Sequence, residues 1–257
     1  GDHGIGDRLP GGNLVLEQFL QHLVDTLQDL PVPVDPMFNE ILKAWRGESL
    51  LNDMLRIFDR MLDDTCGMYD KVTSWLFQNQ RREAAGKEVY QADRRVNSAE
   101  REIRRMLVEH LSISHRDLGP CLALMSTVKD AERIGDYCKN LFEVLELHPE
   151  SLEKNQYTAE MESIAKEIGG LFDLTRKAFK ESNEGDASEV IDRNRKILPR
   201  CDQVLEKLVE DKVSTREAVT YTLIARHMKR VASHLGNIAS SVLLPLHQID
   251  YPSKIQN

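Results

Sequence analysis

Glu132 and Asp136 stand four residues apart in the run Asp130-Ala131-Glu132-Arg133-Ile134-Gly135-Asp136-Tyr137-Cys138-Lys139-Asn140. On a helix that spacing projects both carboxylates from one face, with Asn140 one turn further along the same stripe. Like charges so placed repel, and a cation between them removes the penalty. Carboxylate and amide oxygens suit hard or borderline ions such as Mg, Mn, Fe or Zn. Two carboxylates alone make a weak site. Asp93 and Asn97, again four apart, offer further oxygens within Ala92-Asp93-Arg94-Arg95-Val96-Asn97-Ser98-Ala99-Glu100. If their helix lies antiparallel to the first with the stripes facing, the four side chains converge on one metal or a small cluster. The competing reading is a solvated charge lattice, because Arg133 and Lys139 each sit three residues from Asp136.

The same helix is written a second time, without its acids. His227-Met228-Lys229-Arg230-Val231-Ala232-Ser233-His234-Leu235-Gly236-Asn237 aligns with the first copy when Arg133 is laid on Arg230. Ile134 then meets Val231, Gly135 meets Ala232 and Asn140 meets Asn237, whereas Glu132 meets Lys229 and Asp136 meets Ser233. Aligning Val96 on Ile197 places Asn194 at Asp93 and Leu198 at Asn97. The second copy has therefore lost all four candidate ligands together, as one shared site would. His227 and His234, seven apart, read as surface or partly buried imidazoles rather than ligands. His110 and His115 flank a helix end and read as caps of its carbonyls.

Six long helices must position these residues. Leu50, Met54, Ile57, Met61, Met68, Val72 and Leu76 recur at helical spacing and predict a helix from Ser49 to about Gln80. A second runs from about Lys87 to Leu111, dense in alternating charge, and a third from about Asp117 to Leu147, stopped before Pro149. The pattern repeats as Tyr157 to Ser182, a loop at Ser182 to Asp186, Ala187 to Asp211, and Thr215 to Leu246 with Pro245 near its end. Long helices joined by short loops make antiparallel bundles. The chain thus reads as all-α, two tandem antiparallel three-helix bundles with an extra N-terminal helix. The period of about a hundred residues is too long for a stacked solenoid and marks a duplicated domain.

The division is 1–36 as an N-terminal extension, 37–149 as the first bundle and 150–257 as the second. The extension holds a Gly-rich lead, a short seam of Leu16, Leu20, Leu23, Leu27 and Leu30, and a stiff linker set by Pro31, Pro33 and Pro36. Met37 to Trp45 reads as a short helix ending near Gly47. No stretch alternates like a strand between hairpin turns.

Composition narrows the function. A net charge of −8 and a pI near 5.6 argue against a general nucleic-acid binder, which needs clustered Lys and Arg to displace counterions. Cys66, Cys121, Cys138 and Cys201 are widely spaced and read as buried thiols of a reducing compartment. No apolar run approaches the ~20 residues that span a bilayer. No nucleophilic triad, phosphate loop or pair of acids in an apolar pocket is visible, so catalysis is the weakest of the functional readings.

Asp130-Ala131-Glu132-Arg133-Ile134-Gly135-Asp136-Tyr137 followed by Asn140 resembles the signature of the PhoU family of phosphate-response regulators, in which an E-R-I-G-D helix ends each of two tandem three-helix bundles. Asp93-Arg94-Arg95-Val96-Asn97 resembles the acidic stripe of the family's second helix, and Arg116-Asp117-Leu118 the start of its third. The resemblance covers about Met37 to the C-terminus and is specific in repeat one, weaker in repeat two. It implies a cytoplasmic, usually dimeric, non-enzymatic regulator that couples a phosphate ABC transporter ATPase to a phosphate-sensing histidine kinase. It also implies metal, often iron, on the acidic motifs, carried here onto Glu132 and Asp136 and then Asp93 and Asn97. Lys229 and Ser233 depart from the pattern, so a second cluster is expected to be absent. The alternatives are a metal-storage protein and a divergent adaptor of a sodium/phosphate carrier.

Overall fold

The computed structural model describes residues 49–78, 85–113, 118–147 and 151–250. The expected leader, leucine seam, proline linker and Met37–Trp45 helix lie outside the described residues, as does His115. Within them the chain forms α1 (Ser49–Gln78), α2 (Ala85–Ile113), α3 (Leu118–Leu147), α4 (Gln156–Glu181), α5 (Glu184–Glu210) and α6 (Thr215–Leu243), then a 3₁₀ turn at Leu246–Gln248. No strand occurs among the described residues.

Each helix forms because one face is apolar at a helical repeat. On α1, Leu51, Met54, Phe58, Met61, Met68, Val72 and Trp75 are buried at alternating spacings near three and four. Three starts are fixed by side-chain caps. The Asn155 carboxamide oxygen accepts from the backbone N–H groups of Tyr157 and Thr158 at 2.9 and 3.0 Å, and Ser214 forms a reciprocal capping box with Glu217. Asn183 accepts from the Asp186 N–H at 3.1 Å. That cap corrects the expected loop at Ser182 to Asp186: α5 starts at Glu184, and only Ser182 and Asn183 separate it from α4. The end of α6 also falls short of Leu246, because Pro245 supplies no N–H to continue it.

α1, α2 and α3 pack on one another, as do α4, α5 and α6, giving two three-helix bundles. The bundles join through α1 against α4 and α3 against α6, so α2 and α5 are the outer helices of the pair. α3 and α6 are accordingly buried on two sides, and both bury small residues, among them Ala123, Ala131, Ala232, Ala239 and Ser240. At the α1/α4 seam the rings of Phe58 and Phe179 lie 4.6 Å apart and those of Tyr69 and Phe172 5.3 Å apart, while the Tyr69 hydroxyl donates to the Ala165 carbonyl at 3.2 Å. Arg176 of α4 reaches across to α1, its Nε 2.5 Å from Asp59 Oδ1 and its terminal nitrogen 2.8 Å from Asp63 Oδ1. These two carboxylates raise the basicity of Arg176 against the opposing effect of burial.

All four cysteines are free thiols. Three are buried as expected, but Cys66 is only half-buried, and burial with the nearby Asp70 still pushes its thiol up to about 12. No helix among the described residues is long and apolar enough to cross a membrane.

Candidate functional site

α2 buries Val89, Ala92, Val96, Ile103 and Leu107, which leaves Asp93, Asn97 and Glu100 on the flank that meets α3. α3 buries Val128, Ala131, Ile134, Cys138 and Leu141, which leaves Glu132, Asp136 and Lys139 on the flank that meets α2. The two acidic stripes do face each other. The helices pack closely at Gly135, where an added Cβ would meet Val96 Cγ1 at an ordinary 3.5 Å.

The stripes meet through an ammonium. Lys139 Nζ lies 3.2 Å from Asp93 Oδ1 and 2.9 Å from Asp136 Oδ1, so one cation joins α2 to α3. Burial works to lower the Lys139 pKa, but hydrogen bonds to Asp136 and Asp93 outweigh it and the net shift is upward. Asp136 also takes a second cation, Arg133, at 3.2 Å. Asn97 turns its amide onto Asp93 of its own helix at 3.4 Å.

Glu132 is the exception. Its side chain is mostly buried, and its nearest cation, Arg133 Nε, stands 3.6 Å away. Burial first, and then the negative charges of Asp136 and Glu100, push its carboxyl above the usual glutamate range. Glu100 is itself held by Arg104 at 2.8 Å. The structure therefore brings Glu132, Asp136 and Glu100 into one electrostatic cluster and Asp93, Asp136 and Lys139 into another, sharing Asp136. In this arrangement no group of three or more His, Cys, Asp or Glu side chains among the described residues surrounds a point where a metal ion would sit. The donor set is chemically suited to a hard cation, being oxygen throughout.

The second repeat shows what replaced these groups. Lys229, at the place of Glu132, sets its ammonium 2.6 Å from both oxygens of Asp202, and Ser233 donates to its own helix at the Lys229 carbonyl, 2.8 Å away. Asn194, at the place of Asp93, turns inward. It is buried, its amide donates to the Ala232 carbonyl at 2.8 Å, and its Oδ1 has no partner. Repeat two carries its positive charge on its own side chain.

One constellation escaped the sequence reading. Asp130, fully buried on α3, meets α6: its Oδ1 lies 2.7 Å from His234 Nδ1 and accepts from Asn237 Nδ2 at 3.3 Å. Tyr137 stacks on His234 with ring centroids 5.6 Å apart and lies 5.9 Å from His227. His227 titrates lower than an ordinary histidine because it is half-buried and close to Arg226. Asp250, just past the 3₁₀ turn, holds a left-handed backbone at φ 75°. Its pKa is raised, first by burial and then by the charge of Asp130. The signal that pointed here was a carboxylate on the otherwise apolar stripe of Ile134, Cys138 and Leu141. Its partners stand more than a hundred residues away.

Known proteins share this architecture. The family model described as PhoU domain matches twice, over residues 58–145 and 161–242, one match in each bundle. The phosphate-specific transport system accessory protein PhoU homolog 1 of Thermotoga maritima is 25% identical over 173 residues, covering 63% of this chain and 72% of that protein. The crystal structure of PhoU from Pseudomonas aeruginosa superposes with a TM-score of 0.70 at 20% identity, over 76% of this chain and 96% of that one. The phosphate transport system regulatory protein PhoU from Streptococcus pneumoniae gives 0.67 at 16% identity, over 80% and 96%. With both bundles matched over most of their length, the chain belongs to the PhoU family.

Proposed function

We propose that this chain regulates phosphate uptake and phosphate-responsive signalling by docking onto other proteins rather than by catalysis. The observation that carries the proposal is that each of its two bundles matches the PhoU domain. The partners are a phosphate ABC transporter ATPase, a phosphate-sensing histidine kinase, or both, met in the cytoplasm by a homodimer. The chain acts by binding one conformational state of a partner more tightly than another.

A metal ion on the first bundle belongs to the same proposal. Glu132 and Asp136 would hold it, with Asp93 and Asn97 adding oxygens, and its charge would brace α2 to α3 as Lys139 now does. The placing of Glu132 supports the reading, because burial first, and then the charges of Asp136 and Glu100, raise its pKa, and a cation beside it would offset that crowded negative charge. Lys139 would have to release Asp136 for the ion to bind. Substituting Asp136→Asn should lower both metal content and melting temperature, and no change in either would remove the metal from the account.

Affinity capture of the tagged chain from its own organism, in phosphate-rich and phosphate-starved cells, tests the docking. Recovery of a phosphate transporter ATPase or a sensor kinase is the expected result. Recovery of neither under both conditions would overturn the adaptor function and leave a metal-centred role to be tested by elemental analysis.

A further inference from the structure

The segment that follows α6 is held at the seam between the two bundles. Its 3₁₀ turn, Leu246–Gln248, packs on α3, and Ile249 beside it is 6% exposed. The Asp250 N–H donates to Ser240 Oγ of α6 at 3.3 Å from a left-handed backbone.

The hydrogen bonds beneath this turn do not balance. Asp130 is fully buried on α3, and its Oδ1 faces His234 and Asn237 of α6, but its Oδ2 has no partner among the described residues. Asp250 Oδ1 is likewise buried without one. The two carboxyl groups stand within hydrogen-bonding reach of each other. When both are ionised they only accept, so neither satisfies the other and their charges repel. Lys129 does not make up the deficit, because its Nζ lies 3.6 Å from Asp250 Oδ2, beyond hydrogen-bond distance, and its side chain is partly exposed. Among the described residues, Asp130 and Lys129 of α3, with His234 of α6 behind Asp130, are the charged or titratable groups that face Asp250. A single proton resolves the arrangement, since one O–H···O⁻ bond pairs both orphaned carboxyl groups at once. Asp130 already accepts from Asn237, so the proton belongs on Asp250.

We propose that Asp250 is a proton-operated latch: its protonated carboxyl donates to the Asp130 carboxylate and closes residues 245–250 onto α3 and α6, and release of that proton to solvent opens the turn. Opening uncovers Ile249 and the part of α3 beneath the turn, at the joint between the bundles. Because burial and Asp130 raise the Asp250 pKa in the fold, the closed form is favoured at low pH and weakens as pH rises through the folded value. The inference does not depend on the phosphate-regulator function and would survive its failure.

Hydrogen exchange of the full chain, resolved at residues 245–250, tests it. The amides of Gln248, Ile249 and Asp250 donate to the Pro245 carbonyl, the Leu246 carbonyl and Ser240 Oγ, so their protection, corrected for the intrinsic pH dependence of exchange, reports the closed turn. In the parent it should fall about tenfold as pH rises from below 3.8 to neutrality, the size of one hydrogen bond to a charged group. Asp250→Asn keeps a donor at every pH and tolerates positive φ, so its protection should stay level over that range. Asp250→Gly suits the same backbone but has no donor, and its protection should be low and independent of pH. Parent protection that does not fall, an asparagine variant that falls with the parent, or a glycine variant that keeps the parent's low-pH protection would each overturn the latch.

Discussion

Gly236→Ala is the substitution whose cost the structure fixes most closely. A Cβ on Gly236 would fall deep inside van der Waals contact with Asn194 Nδ2 and 3.6 Å from Asn194 Cγ. That amide is buried and already donates to the Ala232 carbonyl at 2.8 Å, so it cannot move without breaking its bond. Alanine should gain about 1 kcal/mol over glycine in a helix interior. Against that stand about 1 to 3 kcal/mol of overpacking and another 1 to 3 kcal/mol, roughly, for an amide left unpaired in the core. The net loss should be about 1 to 5 kcal/mol, or a melting temperature lower by about 2 to 20 °C for a chain of this size. In an Asn194→Ala background the obstructing amide is gone, and Gly236→Ala should become stabilising by about 0.5 to 1 kcal/mol. Urea denaturation of the four proteins, followed by far-ultraviolet circular dichroism, measures the coupling as a double-mutant cycle. Additivity within about 0.5 kcal/mol would refute the reasoning, because it would mean that Asn194 is not wedged between α5 and α6 against Gly236.

Gly135→Ala, the corresponding change near the acidic motif of repeat one, should go the other way. Its Cβ would meet Val96 Cγ1 at 3.5 Å and Thr65 Cγ2 at 3.7 Å, ordinary contacts, so the helix gains about 0.5 to 1 kcal/mol, readable as a higher urea midpoint. Asp250→Asn tests the carboxylate pair at the α3/α6 seam. Because the Asp250 pKa is raised in the fold, its favourable contribution is complete below the unfolded value near 3.8 and is lost as pH rises through the higher folded value. The asparagine variant, at ease with positive φ, should therefore gain melting temperature relative to the parent as pH rises from below 3.8 to neutrality, and a pH-independent difference would contradict the pairing. Lys139→Met should loosen α2 from α3 by leaving Asp93 and Asp136 facing each other without their ammonium, a loss of about 1 to 3 kcal/mol by chemical denaturation. Asp93→Asn in the same background should recover part of it.

The helices were legible because the apolar spacing of residues such as Met54, Met61, Met68 and Val72 has no competing interpretation. The facing of α2 and α3 followed from the duplication, since four positions changed character together in the second copy. The ends were less legible. Asn183 moved the start of α5 back to Glu184 by capping it, and Pro245 ended α6 at Leu243. Side-chain partnerships across helices could not be read at all. Lys139 was visible as a neighbour of Asp136, but its reach to Asp93, 46 residues away, depends on how closely α2 and α3 approach. The pairing of Asp130 with His234 spans 104 residues and the two repeats, and no local pattern encodes it. Lys229 read as a lost ligand. Its partner Asp202 shows that an internal ammonium stands there instead.

Phosphate uptake by cells of its own organism, with the gene for this chain deleted and then restored, tests the central claim most directly. If the chain restrains a phosphate transporter, the deletion should take up labelled phosphate faster than the parent in phosphate-rich medium, and the restored gene should return the rate to that of the parent. Equal uptake in all three strains, in both phosphate-rich and phosphate-starved medium, would contradict a role in phosphate transport.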